Sequence, residues 1–196
     1  MLATSVAGVS AAVFVAGCGG GERQDKGERA ATYKVEVTGA SFKRHQRLAE
    51  TQVMRITVRN AGRETIPNVA VSVTNDDAAG GAGFTTRSEA GDMSDPTQRL
   101  WIVDKGPPGA DTAYVSTWAL GPLAGGQSKT FRWIVTPVVA GTHSLRWHVA
   151  AGLNGKAIAR TADGHDAAGT FKVTVTRKPR EAGVDPATGQ VVDLAP

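Results

Sequence analysis

Met54-Arg55-Ile56-Thr57-Val58-Arg59-Asn60-Ala61-Gly62 is the stretch that decides the fold class. Met54, Ile56 and Val58 alternate with Arg55, Thr57 and Arg59. In an extended chain this puts every apolar side chain on one face and every polar one on the other. Asn60-Ala61-Gly62 then supplies the small, turn-forming residues that end a strand. The same period of two recurs along the chain. It appears at Tyr33, Val35 and Val37, at Val69, Val71 and Val73, at Phe131, Trp133 and Val135, at Leu145, Trp147 and Val149, and at Phe171, Val173 and Val175. No segment carries a sustained apolar stripe of period 3.6, so long helices are not expected.

Turn signals separate these runs. Pro67-Asn68, Leu123-Ala124-Gly125-Gly126-Gln127-Ser128 and Asp163-Gly164 all fall between apolar faces. Asn154-Gly155 reads as a two-residue hairpin loop joining His148-Val149-Ala150 to Ala157-Ile158-Ala159. Leu100-Trp101-Ile102-Val103 and Tyr114-Val115-Ser116-Thr117-Trp118 read as two further strands around the turn-rich Lys105-Gly106-Pro107-Pro108-Gly109. The pattern predicts an all-β chain: an antiparallel sandwich of about seven to nine short strands over 32–177. Trp133, Trp147, Phe131 and Phe171 share faces with the valines and are its expected core. A domain of this length hides enough surface to fold around one core without disulfides.

Two segments stand apart. Residues 75–99 form a long stretch rich in Gly, Ala, Ser and Asp, where five acids (Asp76, Asp77, Glu89, Asp92, Asp95) outnumber Arg87 and Arg99. Long loops of this kind carry function or are tolerated insertions. As a binding loop it offers Phe84 and Met93 as apolar anchors and Asp92 and Asp95 as polar contacts. The tail 178–196 has no clear pattern and reads as a loose end.

At the other terminus, residues 1–17 hold no charged side chain and 18–31 hold six. The apolar stretch from Leu2 to Ala16 is too short for a membrane-spanning helix but suits the core of a secretory signal. It ends in Val15-Ala16-Gly17-Cys18, followed by Gly19-Gly20-Gly21 and the solvated run ERQDKGER. This resembles the lipobox of bacterial prolipoproteins. The resemblance implies that the chain is cut before Cys18 and that the Cys18 thiol carries a diacylglyceryl group. The protein would then sit at the extracytoplasmic face of the cell membrane, lipid-anchored, with 1–17 as signal peptide and 18–31 as flexible tether. Met1 is followed at once by Leu2, without the basic residues that usually open such a signal. A lone cysteine accords with export and excludes both a disulfide framework and a cysteine-built zinc site.

A second resemblance rests on Arg55-Ile56-Thr57-Val58-Arg59-Asn60-Ala61-Gly62, then Ile66-Pro67-Asn68-Val69-Ala70-Val71, Leu120 to Phe131 and Ala140-Gly141-Thr142-His143. Over 32–176 these are similar to the strand and turn motifs of CARDB-like and related bacterial immunoglobulin-like domains. That likeness implies an adhesion, spacer or presenting module of the cell envelope; an insertion at 75–99 is not part of the usual pattern.

The residues that carry chemistry are sparse. His143 and His148 are five apart on one predicted strand and so face opposite sides. Asp163-Gly164-His165-Asp166 has ligand-type side chains, which a simple turn also explains. His45 lies among Lys43, Arg44 and Arg47 in a basic turn. A blue-copper site needs a cysteine beside its histidines, and Cys18 lies outside the domain. No G-x-S-x-G elbow, H-E-x-x-H pair or phosphate-binding glycine loop occurs. The outward set Arg55, Arg59, Arg132, Arg146 and Lys172 reads either as an ordinary solvated β surface or as a face for anionic lipid or wall polymer. The net charge of +4 permits such a partner without naming it. The expectation is a non-enzymatic, cofactor-free, metal-free binding, adhesion or scaffold module. Its partners would be membrane lipid and an envelope protein or polysaccharide, not nucleic acid. The alternative is an accessory or solute-binding subunit of a membrane transporter or enzyme.

Overall fold

A computed structural model of the chain describes residues 28–75, 84–86, 100–114, 116–177 and 182–193. Its strands in chain order are β1 (Ala31–Ser41), β2 (His45–Arg47), β3 (Gln52–Asn60), β4 (Ala70–Asn75), β5 (Phe84–Thr86), β6 (Trp101–Lys105) and β7 (Asp111–Tyr114). They continue with β8 (Thr117–Ala119), β9 (Ser128–Pro137), β10 (Gly141–Ala150), β11 (Ala157–Arg160), β12 (Ala168–Thr176), β13 (Ala182–Val184) and β14 (Val191–Asp193). No helix occurs among the described residues. Two six-stranded sheets form the sandwich, in the orders β11-β1-β3-β9-β6-β5 and β2-β12-β10-β4-β8-β7. Neighbours β1, β3, β9 and β6 take the places of strands A, B, E and D of an immunoglobulin sandwich; β12, β10, β4 and β8 take those of G, F, C and C′. The fold is an all-β, immunoglobulin-like sandwich, with β6 coming before β8 in the chain.

The alternation seen in the sequence sets the inner faces. Met54, Ile56 and Val58 of β3 are buried against Trp133 and Phe131 of β9, while Arg55 and Arg59 are exposed. Full burial of a side chain such as Ile56 contributes about 1.5–3 kcal/mol. The few aromatics form one chain across the core. Trp147 contacts Phe171, Phe171 contacts Phe42, Phe42 contacts Trp101, and Trp101 contacts Phe84, which meets both Trp118 and Trp133. Trp133, Phe131 and Trp147 are buried as expected, and Phe171 is half-buried at the margin. Asn60 is a buried junction: its amide donates to the carbonyls of Glu64 and Leu123, and its carbonyl oxygen accepts from the Gly62 N–H. The turns after β3 and before β9 are thereby locked together.

The structure has more strands than the seven to nine read from periodicity, because β2, β5, β13 and β14 are three residues long and show no full alternation. Three pairs, β1–β11, β2–β12 and β5–β6, are parallel, so the sheets are mixed. The expected strand 114–118 is instead divided between β7 and β8, with Ser116 at φ 59°. The Asn154-Gly155 hairpin does not form: β10 lies in one sheet and β11 in the other, so this loop crosses the sandwich. The tail is not patternless over 182–193, where β13 and β14 pair as a hairpin.

Candidate functional site

The strand directions give the sandwich two distinct ends. Asn60, Ala70, Ser128 and Ala150 lie at one, where β1 also begins. Gln52, Asn75, Pro137 and Gly141 lie at the other, and the carbonyl of Leu100 accepts from the N–H of Val138 there. Asn75 and Leu100 bound the 75–99 segment, and both lie at the end opposite the start of β1.

Within it, Phe84 is not an exposed anchor. It sits on β5, which extends the first sheet beside β6, and is 2 % exposed among Trp101, Trp118 and Trp133. Its flanking sequence shows no alternation over more than three residues, so nothing local marked it as core. Asp92, Met93 and Asp95, like Cys18, lie outside the described residues.

A concavity opens along one side of the sandwich. β11 pairs with β1 only over Ala31–Lys34, and β2 pairs with β12 only over Thr174–Thr176. Between those contacts β1 and β12 are the outermost strands of their sheets, and a groove of about 420 Å³ lies at this seam. Val35 and Val37 of β1, Trp147 of β10 and Ala167 give it an apolar floor; Glu36, Thr161 and Asp163 form its rim. Trp147 lies flat over Gly169, where a Cβ would come within 2.4 Å of indole Cζ2, so a glycine is needed beneath the ring. Glu36 is paired with Arg59 at 3.2 Å. The Thr161 hydroxyl, more than any other group, holds the Asp163 carboxyl below the ordinary aspartate value; the nearby His165 adds a small part. The groove can receive an apolar side chain or extended segment. Among the described rim groups, Glu36 is committed to Arg59 and Thr161 and Asp163 to the turn, and they form no pairing of nucleophile and base.

The histidines are separated. His143 is buried, edge-on to Trp101, and its Nε2 donates to the Val139 carbonyl at 3.2 Å. His148 and His45 are exposed on the second sheet. His165 stands 3.5 Å from Asp163 in an exposed turn. Among the described residues no group of three His, Cys, Asp or Glu side chains comes together.

The basic set divides between the two outer faces. Arg55 and Arg132 are directly opposite on β3 and β9, with Arg59 on the same face; Arg146 and Lys172 belong to the second sheet. They do not make one surface. A directly opposed like-charged pair such as Arg55 and Arg132 works against strand pairing.

No protein-family model matches the chain, and no curated protein matches it in sequence. Among solved structures it is similar to a CARDB domain from Pyrococcus furiosus determined with di-metal ions. That match has 14% identity over 74% of this chain and 87% of the other, with a TM-score of 0.44. It is also similar to a PapD-like domain of human CEP192, with 14% identity over 89% of this chain and 100% of that domain, at a TM-score of 0.41. A third similarity is to alpha-2-macroglobulin from Escherichia coli, with 15% identity over 82% of this chain but 21% of that one, at a TM-score of 0.45.

Proposed function

We propose that this protein is a lipid-anchored extracytoplasmic lipoprotein whose sandwich is a non-catalytic binding module of the cell envelope. The lipobox-like Val15-Ala16-Gly17-Cys18, followed by glycines and a charged run, supports the anchoring. The observation that carries the binding role is the placement of Asn75 and Leu100 at the end of the sandwich opposite the start of β1. A chain held through its N-terminus would carry Asn75 and Leu100, the two ends of that segment, away from its point of attachment. Both strand faces are occupied by core or by ordinary solvated residues, and scaffolds of this kind carry recognition on loops.

Anchoring is tested by Cys18→Ala, which is expected to abolish lipid incorporation and signal cleavage and to release the protein from membranes. A variant that still fractionates with membranes and is cut at the same bond overturns the anchoring. For the binding role, 87–94 is replaced by a Gly-Ser linker, which leaves the core residue Phe84 and its strand in place. The expected outcome is unchanged thermal unfolding with loss of proteins cross-linked to the parent on intact cells; unchanged cross-linking shows the segment to be a passive insertion. The seam groove favours the second reading, an accessory or solute-binding subunit. In that case Trp147→Ala, and not the loop replacement, removes the partner.

A further inference from the structure

Glu28, three residues before β1, is held by the loop that crosses between the sheets. Its Oε2 accepts from the backbone N–H of Leu153 at 2.8 Å and of Asn154 at 3.1 Å; its Oε1 accepts from those of Lys156 at 3.1 Å and Ala157 at 2.7 Å. Four amides thus converge on one carboxylate, two on each oxygen, in the manner of a backbone anion nest. Gly152 completes the site. A Cβ there would lie 2.2 Å from Cδ and Oε1 and 2.5 Å from Oε2 of Glu28, its three nearest atoms. Gly152 does not have the positive φ that favours glycine, so what a side chain there would first displace is the bound carboxylate.

We infer that 152–157 is a carboxylate-binding site which the chain fills with its own Glu28, a latch that fixes where the N-terminal segment joins the sandwich. Charge-assisted bonds from amides to a carboxylate are among the stronger hydrogen bonds; the Lys156 N–H is shared, donating also to Asn154 Oδ1 at 3.0 Å. Closure also places Ala31 to pair with Ala157 and begins the parallel β1–β11 ladder. The inference is independent of lipid anchoring.

Amide hydrogen exchange on the full chain tests it. Glu28→Ala is expected to speed exchange at Leu153, Asn154 and Ala157 by at least about tenfold, and less at Lys156, which keeps Asn154 Oδ1, while β3 and β9 keep their protection, since local opening is read separately from global unfolding. Gly152→Ala is expected to do the same in the parent and to add nothing in the Glu28→Ala background, because the obstructing carboxyl is then gone. If Glu28→Ala unfolds the chain, Glu28→Gln decides. Its single carbonyl oxygen serves one side of the site, so protection persists either at Leu153 and Asn154 or at Ala157 and falls at the other. Unchanged protection in the Glu28 variants, or a Gly152→Ala effect equal with and without Glu28, overturns the latch.

Discussion

Trp133 is completely buried, yet its indole N–H has no hydrogen-bond partner among the described residues. The ring is stacked on Phe131 at 5.8 Å and edge-on to Trp118 at 5.5 Å, so its value lies in packing. Trp133→Ala is expected to cost about 3–5 kcal/mol in urea unfolding, the usual range for emptying an aromatic site. Trp133→Phe should cost far less, because it also removes a buried donor whose desolvation costs about 1–3 kcal/mol. Equal losses in the two variants would show that aromatic packing at this site carries no energetic weight. Trp101 differs: its Nε1 donates to the buried Gln46 at 2.8 Å, and Gln46 in turn donates to the Lys43 carbonyl. Gln46 stands in a run of basic and polar residues, so the sequence alone did not mark it as interior.

The elements legible in the sequence are those long enough to repeat their alternation. β3, β9, β10 and β12 are nine or ten residues long, and each repeats it at three or more apolar positions. The short strands β2 and β5 form as edge strands beside the longer β12 and β6, a tertiary cause with no local pattern. Asn154-Gly155 misled for a related reason: the residues around it donate their N–H groups to Glu28 across the chain, not to a facing strand. The β13–β14 hairpin is closed by a local device, the Asp185 carboxylate accepting from the Ala187 N–H at 2.8 Å. That bond first, and the Thr188 hydroxyl second, hold Asp185 below the ordinary value of 3.8. A depressed carboxylate stabilises above its unfolded value and loses that contribution as pH falls through the folded one. The Ala187 amide should therefore keep its shift from neutral pH down to about pH 4 and lose it only in stronger acid. A shift already moving near pH 6 would contradict this.

At the scale of the whole molecule, the sandwich closes with β12 at Thr176, and β13 and β14 pair only with each other. A fragment spanning 28–177, which keeps Glu28 and drops the hairpin, is expected to unfold in one transition at the midpoint of the full chain. A fragment starting at 32 loses the latch and the first pair of the β1–β11 ladder and should melt lower. Equal midpoints for the two fragments would show that the segment before β1 adds nothing to stability.

What the amino-acid sequence determined by itself was the class of fold and most of its core. Period-two alternation leaves an extended chain one way to hide its apolar face, and residues such as Ile56, Trp133 and Val149 had to turn inward. The change of composition at Cys18 is likewise a property of the linear chain. Tertiary structure alone decided the placement of Phe84 in the core, the division of the basic residues between opposite faces, the groove at the seam, and the capture of Glu28 by amides more than a hundred residues away. These depend on which strands become neighbours. That choice is made by long-range packing and by backbone groups seeking partners, and no local pattern of side chains encodes it.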